Sequence, residues 1–213
     1  MRMRLGLPAA LTLALVGVLA PRGAHAEDAD SLNRKTHAVR RSDFAAGIGL
    51  GAAFGRASGY PNEVQKVDDP AYRQNTKLGA GVNQFLWLGV AFNDYLTFGL
   101  GFGGIGLSGN DRKGKAQVFG FHLDAYPLFA VDKNLQDLGV FANIGTGPLK
   151  ITGGKEEADG GLMSYLEGGL VYERLRLWRF GIGPTASVAH MFSDSAKLTA
   201  TQVGLRVTFY GGP

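Results

Sequence analysis

The sequence has 213 residues, 33 glycines, no cysteine and a formal net charge of +4 at pH 7. The missing cysteine excludes a disulfide framework, so stability must come from a core or from a membrane. Glycine runs at about twice its usual share, and the excess of basic residues sits at the start of the chain. Arg2, Arg4 and Arg22 have no acidic counterpart within residues 1–26, and removing that stretch takes the net charge down to +1. The basic balance therefore gives no support for a nucleic-acid partner.

Residues 1–26 read as a secretory signal peptide. Arg2 and Arg4 form a basic start, Leu5 to Ala20 an apolar run interrupted by Pro8, and Ala24-His25-Ala26 a small-x-small cleavage site before Glu27. The run falls short of the roughly 20 apolar residues that a membrane-spanning helix needs. Residues 27–42 are polar and aperiodic and are expected to form a flexible lead-in. One domain follows, over 43–210.

From Asp43 onward the sequence alternates with a period of two. Phe44, Ile48, Leu50 and Phe54 share one face, and Gly47, Gly49, Gly51 and Gly55 the other. The match Gly47-x-Gly49-x-x-Ala52 to a dinucleotide fingerprint, and the similar one at Gly99, follow from alternating glycine. The sequence after Ala52 carries no helix for such a loop to open. A polar loop spans 56–77. The second strand, 78–92, sets Leu86, Leu88, Val90 and Phe92 against small residues, with Trp87 breaking the pattern. Asn93-Asp94 is an expected tight turn.

The third strand, 95–107, has the clearest pattern: Leu96, Phe98, Leu100 and Phe102 alternate with Thr97, Gly99, Gly101 and Gly103, and a phase shift is expected after Gly103. A charged loop is expected over 108–115 and further strands over 116–130, 138–147, 161–172, 176–191 and 197–210. Between them lie a turn at 131–137, a loop at 148–160, a turn at Glu173-Arg174-Leu175 and a short loop near Ser193-Asp194-Ser195. Eight strands in series predict an all-β, antiparallel up-and-down barrel. An apolar face backed by glycine suits a closed barrel with lipid outside and a crowded interior.

Phe92, Tyr95, Tyr126, Phe129, Tyr172, Trp178 and Tyr210 fall at strand ends beside the short turns, where an interfacial aromatic girdle is expected. The residues Gly47-Ile-Gly-Leu-Gly51, Leu96 to Phe102 and Val203-Gly-Leu-Arg-Val-Thr-Phe209, together with the signal peptide, make the sequence resemble the small eight-stranded bacterial outer-membrane β-barrels. The resemblance covers about 43–210 and is one of pattern. It implies residence in the outer membrane, contact with its lipids and handling by the outer-membrane assembly machinery. Family members end on a terminal aromatic, whereas here Tyr210 is followed by Gly211-Gly212-Pro213.

On the inward face the polar residues His122, Asp124, Glu167, Arg179 and Arg206 are expected to form an interior network, with Glu167 and Arg206 reaching for each other across Gly183. No nucleophile–base or metal-ligand spacing stands out, so neither catalytic residues nor a cofactor is expected. The sequence supports a structural or surface-interacting barrel whose loops 56–77 and 148–160 meet external partners. A narrow pore, a lipid-modifying envelope enzyme and a soluble lipocalin-like barrel are the alternatives.

Overall fold

The computed structural model describes residues 39–154 and 156–212. The predicted signal peptide and residues 27–38 of the predicted lead-in lie outside the described residues. The described chain contains the strands β1 (Asp43–Gly59), β2 (Gln74–Asn75), β3 (Gly79–Asn93), β4 (Leu96–Gly109), β5 (Arg112–Ala125), β6 (Leu138–Thr152), β7 (Ala158–Tyr172), β8 (Leu175–Leu177), β9 (Phe180–Phe192) and β10 (Ala196–Tyr210). Eight of them pair antiparallel in the order β1-β3-β4-β5-β6-β7-β9-β10, and β10 pairs back onto β1 from Ala45↔Tyr210 to Gly59↔Ala196. The sheet is a closed up-and-down barrel, as the alternation predicts. The short strands β2 and β8 are flaps on β1 and β9.

Closure leaves each strand one inward and one outward face. Outside, Phe44, Ile48, Leu50, Phe54, Leu86, Phe98, Leu100, Phe121 and Leu205 are each between 41% and 62% exposed. Such a belt far exceeds the apolar patches that water-soluble proteins tolerate, and it removes the lipocalin-like alternative, which would turn this face inward. On β1 the belt runs from Phe44 to Phe54. At about 3.3 Å per residue and a tilt of about 40° this spans roughly 25 Å, the height of the apolar band of a membrane barrel.

The expected phase shift after Gly103 does not occur. Thr97, Gly99, Gly101, Gly103, Ile105 and Leu107 all stay buried in one unbroken inward phase. What changes is the chemistry of the two faces. Above the level of Phe54 and Phe102 the inward residues become apolar (Ile105, Leu107, Val118, Leu149, Ile151, Met163, Met191, Leu198) and form one cluster that fills the lumen. The outward residues there become polar, among them Arg56, Lys115, Gln117, Lys150 and Thr199, all exposed or nearly so. One barrel thus carries two zones, apolar-out below and apolar-in above.

Three connections are shorter than expected because the strands run further than their belt pattern. The charged stretch 108–115 is mostly strand: β4 and β5 meet at a two-residue turn, Asn110-Asp111, both at φ +54°. Both residue types tolerate the left-handed region, while Lys113 and Lys115 continue the alternation with Gly114 and Ala116. The loops expected at 56–77 and 148–160 likewise shrink to 60–78, with β2 inside it, and 153–157. At the opposite end, the turn placed at 173–175 lies instead at Trp178-Arg179, with Trp178 at φ +56°.

Candidate functional site

The end of the barrel where β1 starts and β10 finishes is stoppered by a polar cluster. Glu173 is its hub, fully buried, because the inward alternation Glu167, Gly169, Val171 continues to the residue just past the end of β7. Its Oε1 accepts from Arg206 Nη2 at 3.0 Å and from Thr208 Oγ1 at 2.7 Å, and its Oε2 from Tyr210 OH at 2.9 Å and Arg176 Nη2 at 3.3 Å. Arg206 also donates to Asp124 Oδ1 at 2.7 Å and to Tyr126 OH at 3.0 Å. Burial alone would raise the Glu173 carboxyl, but Arg206, Arg41 and Arg176 more than offset it, so it titrates below the ordinary carboxylate range.

The last residues of the expected lead-in are not a solvated tail. Arg40 N and Arg41 N both donate to Asp94 Oδ1, at 2.7 and 2.9 Å, which pins the segment across the mouth. The Arg41 side chain is fully buried, with Nη2 3.0 Å from Asp137 Oδ1 and its guanidinium carbon 3.4 Å from the centre of the Tyr126 ring. Arg40 grips the same Asp137 with two parallel bonds of 3.0 and 2.9 Å. Four guanidiniums (Arg40, Arg41, Arg176, Arg206) thus meet three carboxylates (Asp124, Asp137, Glu173), while the Asp94 carboxylate takes backbone N–H donors, so no carboxylate of the cluster is left unpartnered in a region that would make one costly. Burial, followed by the neighbouring Glu173, raises the Tyr126 hydroxyl well above its ordinary value and keeps it a donor.

A second, mid-barrel group sits above the first and is joined to it through His122. Glu167 accepts three short bonds, from Asn143 Nδ2, Tyr165 OH and Ser187 Oγ, each 2.6 Å. Because the Asn143 amide nitrogen is committed to Glu167, its Oδ1 accepts from His122 Nδ1 at 2.7 Å. His122 Nε2 lies 3.1 Å from Asp124 Oδ2, and the imidazole stacks on Trp87 with centroids 4.5 Å apart. Space for the Trp87 ring comes from Gly47, whose position admits no Cβ beside the indole. The Phe85 ring occupies the corresponding space at Gly101. Between these groups lies a cavity of about 40 Å³ lined by Asn83, Trp87, His122, Asn143, Glu167 and Arg206, of a size and polarity that suit buried water.

Of the five residues expected in the interior network, His122, Asp124, Glu167 and Arg206 are inside and form one connected chain of contacts. Glu167 and Arg206 do not pair. Arg206 does oppose Gly183, but Glu167 opposes Ala189, because the turn after β7 lies further along the chain than 175. Arg179 is outside the network, in the β8–β9 turn, with its guanidinium carbon 5.2 Å from the Trp178 ring. Arg41, Asp137 and Glu173 are members that sequence reasoning missed.

The aromatic set divides. Phe92 and Trp178 are 62% and 80% exposed, as a girdle requires, while Tyr95 and Tyr172 are half-buried, Tyr95 against Phe129 and Tyr172 donating its OH to Asn134 O. Tyr126, Phe129 and Tyr210 are almost fully buried and close the mouth from inside. Parity along the strands could have shown this for Tyr126 and Tyr210, which continue the inward phases of Asp124 and Thr208. The outer ring at this end is built instead by Trp178, Phe180, Phe209 and Phe44, in contact in that order at 6.3, 5.4 and 6.4 Å.

No protein-family model and no curated protein sequence matches the chain. Solved structures do. Neisserial surface protein A aligns over 78% of this chain and 97% of its own, at 11% identity and a TM-score of 0.50. Ail, the attachment invasion locus protein of Yersinia pestis, aligns over 78% of this chain and 99% of its own, at 14% identity and a TM-score of 0.49. At such identities the likeness is one of fold: the chain has the eight-stranded barrel fold of the small outer-membrane proteins.

Proposed function

We propose that this barrel is exported by its signal peptide, is inserted by the outer-membrane assembly machinery, and works in the outer membrane as a sealed, non-conducting anchor that presents its 60–78 and 153–157 loops to a partner outside the cell. The observation that carries this reading is the filling of the lumen. Leu107, Leu149, Ile151, Met191 and Leu198 are packed together with no more than 1% exposure in the loop half, and the ion-paired stopper closes the other half. A solute crossing the barrel would have to displace both, and breaking buried pairs of this kind costs several kcal/mol each. The loop end suits display: within 60–78, Lys66 is tied to Glu63 at 3.1 Å and across to Glu156 of the second loop at 3.0 Å, which holds the two loops together. Planar-bilayer recording on the refolded protein tests the reading. The expected result is a flat baseline under applied voltage, and reproducible unitary current steps would overturn it in favour of the narrow pore.

A further inference from the structure

Just above Phe54 the outer wall changes from rings and aliphatic groups to cations and hydroxyls. Across the β1–β10 ladder Phe54 opposes Thr201, Arg56 opposes Thr199, and Ser58 opposes Lys197. With Leu78 these residues line a groove of about 430 Å³ on the outward surface. Its apolar part is Phe54 and Leu78, 50% and 77% exposed. Its polar part holds two exposed cations, and none of its lining residues is acidic. Among the described residues no carboxylate lies within ion-pair distance of Arg56 or Lys197. Asp68 and Asp194 line a separate loop-side pocket that shares Ser58 and Lys197 with the groove. On the β9 side, His190 Nδ1 lies 2.8 Å from Thr199 Oγ1 and extends the polar step.

This groove lies where the apolar band ends, so one half faces the acyl region and the other the headgroup layer. A ligand that satisfies both halves is amphiphilic and anionic. Phosphate oxygens match two unpaired cations flanked by hydroxyl donors, while an acyl chain continues the surface of Phe54 and the belt below. On the far wall of the polar zone Lys115 opposes Lys150, but Lys150 Nζ lies 3.8 Å from Asp159 Oδ2, so that like-charge pair has a carboxylate beside it, as Arg56 and Lys197 do not.

We propose that the groove between Arg56 and Lys197 is a binding site for the phosphate-bearing headgroup of a membrane lipid, with the lipid's acyl chain lying along Phe54. The proposal rests on the membrane-embedded reading of the barrel, and the test keeps the two apart. The protein is reconstituted into nanodiscs of phosphatidylcholine doped with phosphatidylglycerol, and the lipid retained after detergent extraction is measured by native mass spectrometry. Phosphatidylglycerol is expected to be enriched on the wild type. The Arg56→Gln/Lys197→Gln variant is expected to bind it about tenfold more weakly, the Lys197→Gln variant should show an intermediate loss, and Lys133→Gln, at the other end, should match the wild type. Millimolar inorganic phosphate is expected not to displace the lipid. Equal retention by the wild type and the double variant overturns the site, as does displacement by free phosphate. Failure of the wild type to enter the discs contradicts the membrane reading itself.

Discussion

Glu173 gathers Arg206, Arg176, Thr208 and Tyr210 around one carboxylate, with Arg41 3.8 Å away. Removing its charge leaves several guanidiniums without their shared carboxylate in a buried region. Glu173→Gln is therefore expected to lower unfolding stability by about 3–5 kcal/mol, the usual cost of breaking a buried pair from one side. The sign of the pH dependence follows from the depressed folded-state titration of Glu173. Its contribution is fully present above the ordinary carboxylate range and is lost as pH falls through the lower folded value. Urea unfolding of the detergent-solubilised protein between pH 6 and 2 should show stability falling with acid in the wild type. The fall should be shallower in Glu173→Gln, and an identical slope in the two would remove Glu173 from its place as the hub.

At the scale of elements, the strands were legible because lipid outside and crowding inside impose a strict period of two. Strand ends were not, because the belt pattern stops at the membrane boundary while the strands continue beyond it. There the faces exchange chemistry, so Ile105 and Leu107 look like a slipped phase although they hold the inward register of Gly99 and Gly101. The interior suffered from a different ambiguity. Trp178 and Arg179 alternate as a strand would, yet they form the turn, and the resulting error of register moved Glu167 towards Arg206. Arg41 had no periodic signal at all, since its burial depends on Asp94 and Asp137, 53 and 96 residues away.

The turn Asn110-Asp111 offers a test of the longer strands. Each residue holds φ at +54°, a region that costs an ordinary L-residue about 1–2 kcal/mol. Asn110→Val should therefore destabilise the barrel by about that amount, whereas Asp111→Gly should stabilise it by a few tenths of a kcal/mol up to about 1. Equilibrium unfolding in urea reads both. No change in either variant would mean that 108–115 is the loop its composition suggests.

For the whole molecule, the central claim is a sealed barrel whose outward face is apolar inside the bilayer and polar above it. The inverted zone is stable for the reason a soluble barrel is: Leu107, Leu149, Ile151, Met191 and Leu198 give it an apolar centre, and each such side chain contributes about 1.5–3 kcal/mol when fully buried. The membrane zone inverts that logic, with its polar groups paired inside and its apolar ones left to lipid. The absence of cysteine from the sequence makes site-directed spin labelling direct. Single cysteines at outward positions in the two zones, Leu50→Cys and Leu100→Cys below and Lys115→Cys and Gln117→Cys above, can each carry one nitroxide in a reconstituted bilayer. Labels at 50 and 100 should be relaxed more by oxygen than by a water-soluble nickel chelate, and labels at 115 and 117 should show the reverse. Water accessibility at 50 and 100, or lipid accessibility at 115 and 117, would contradict the account.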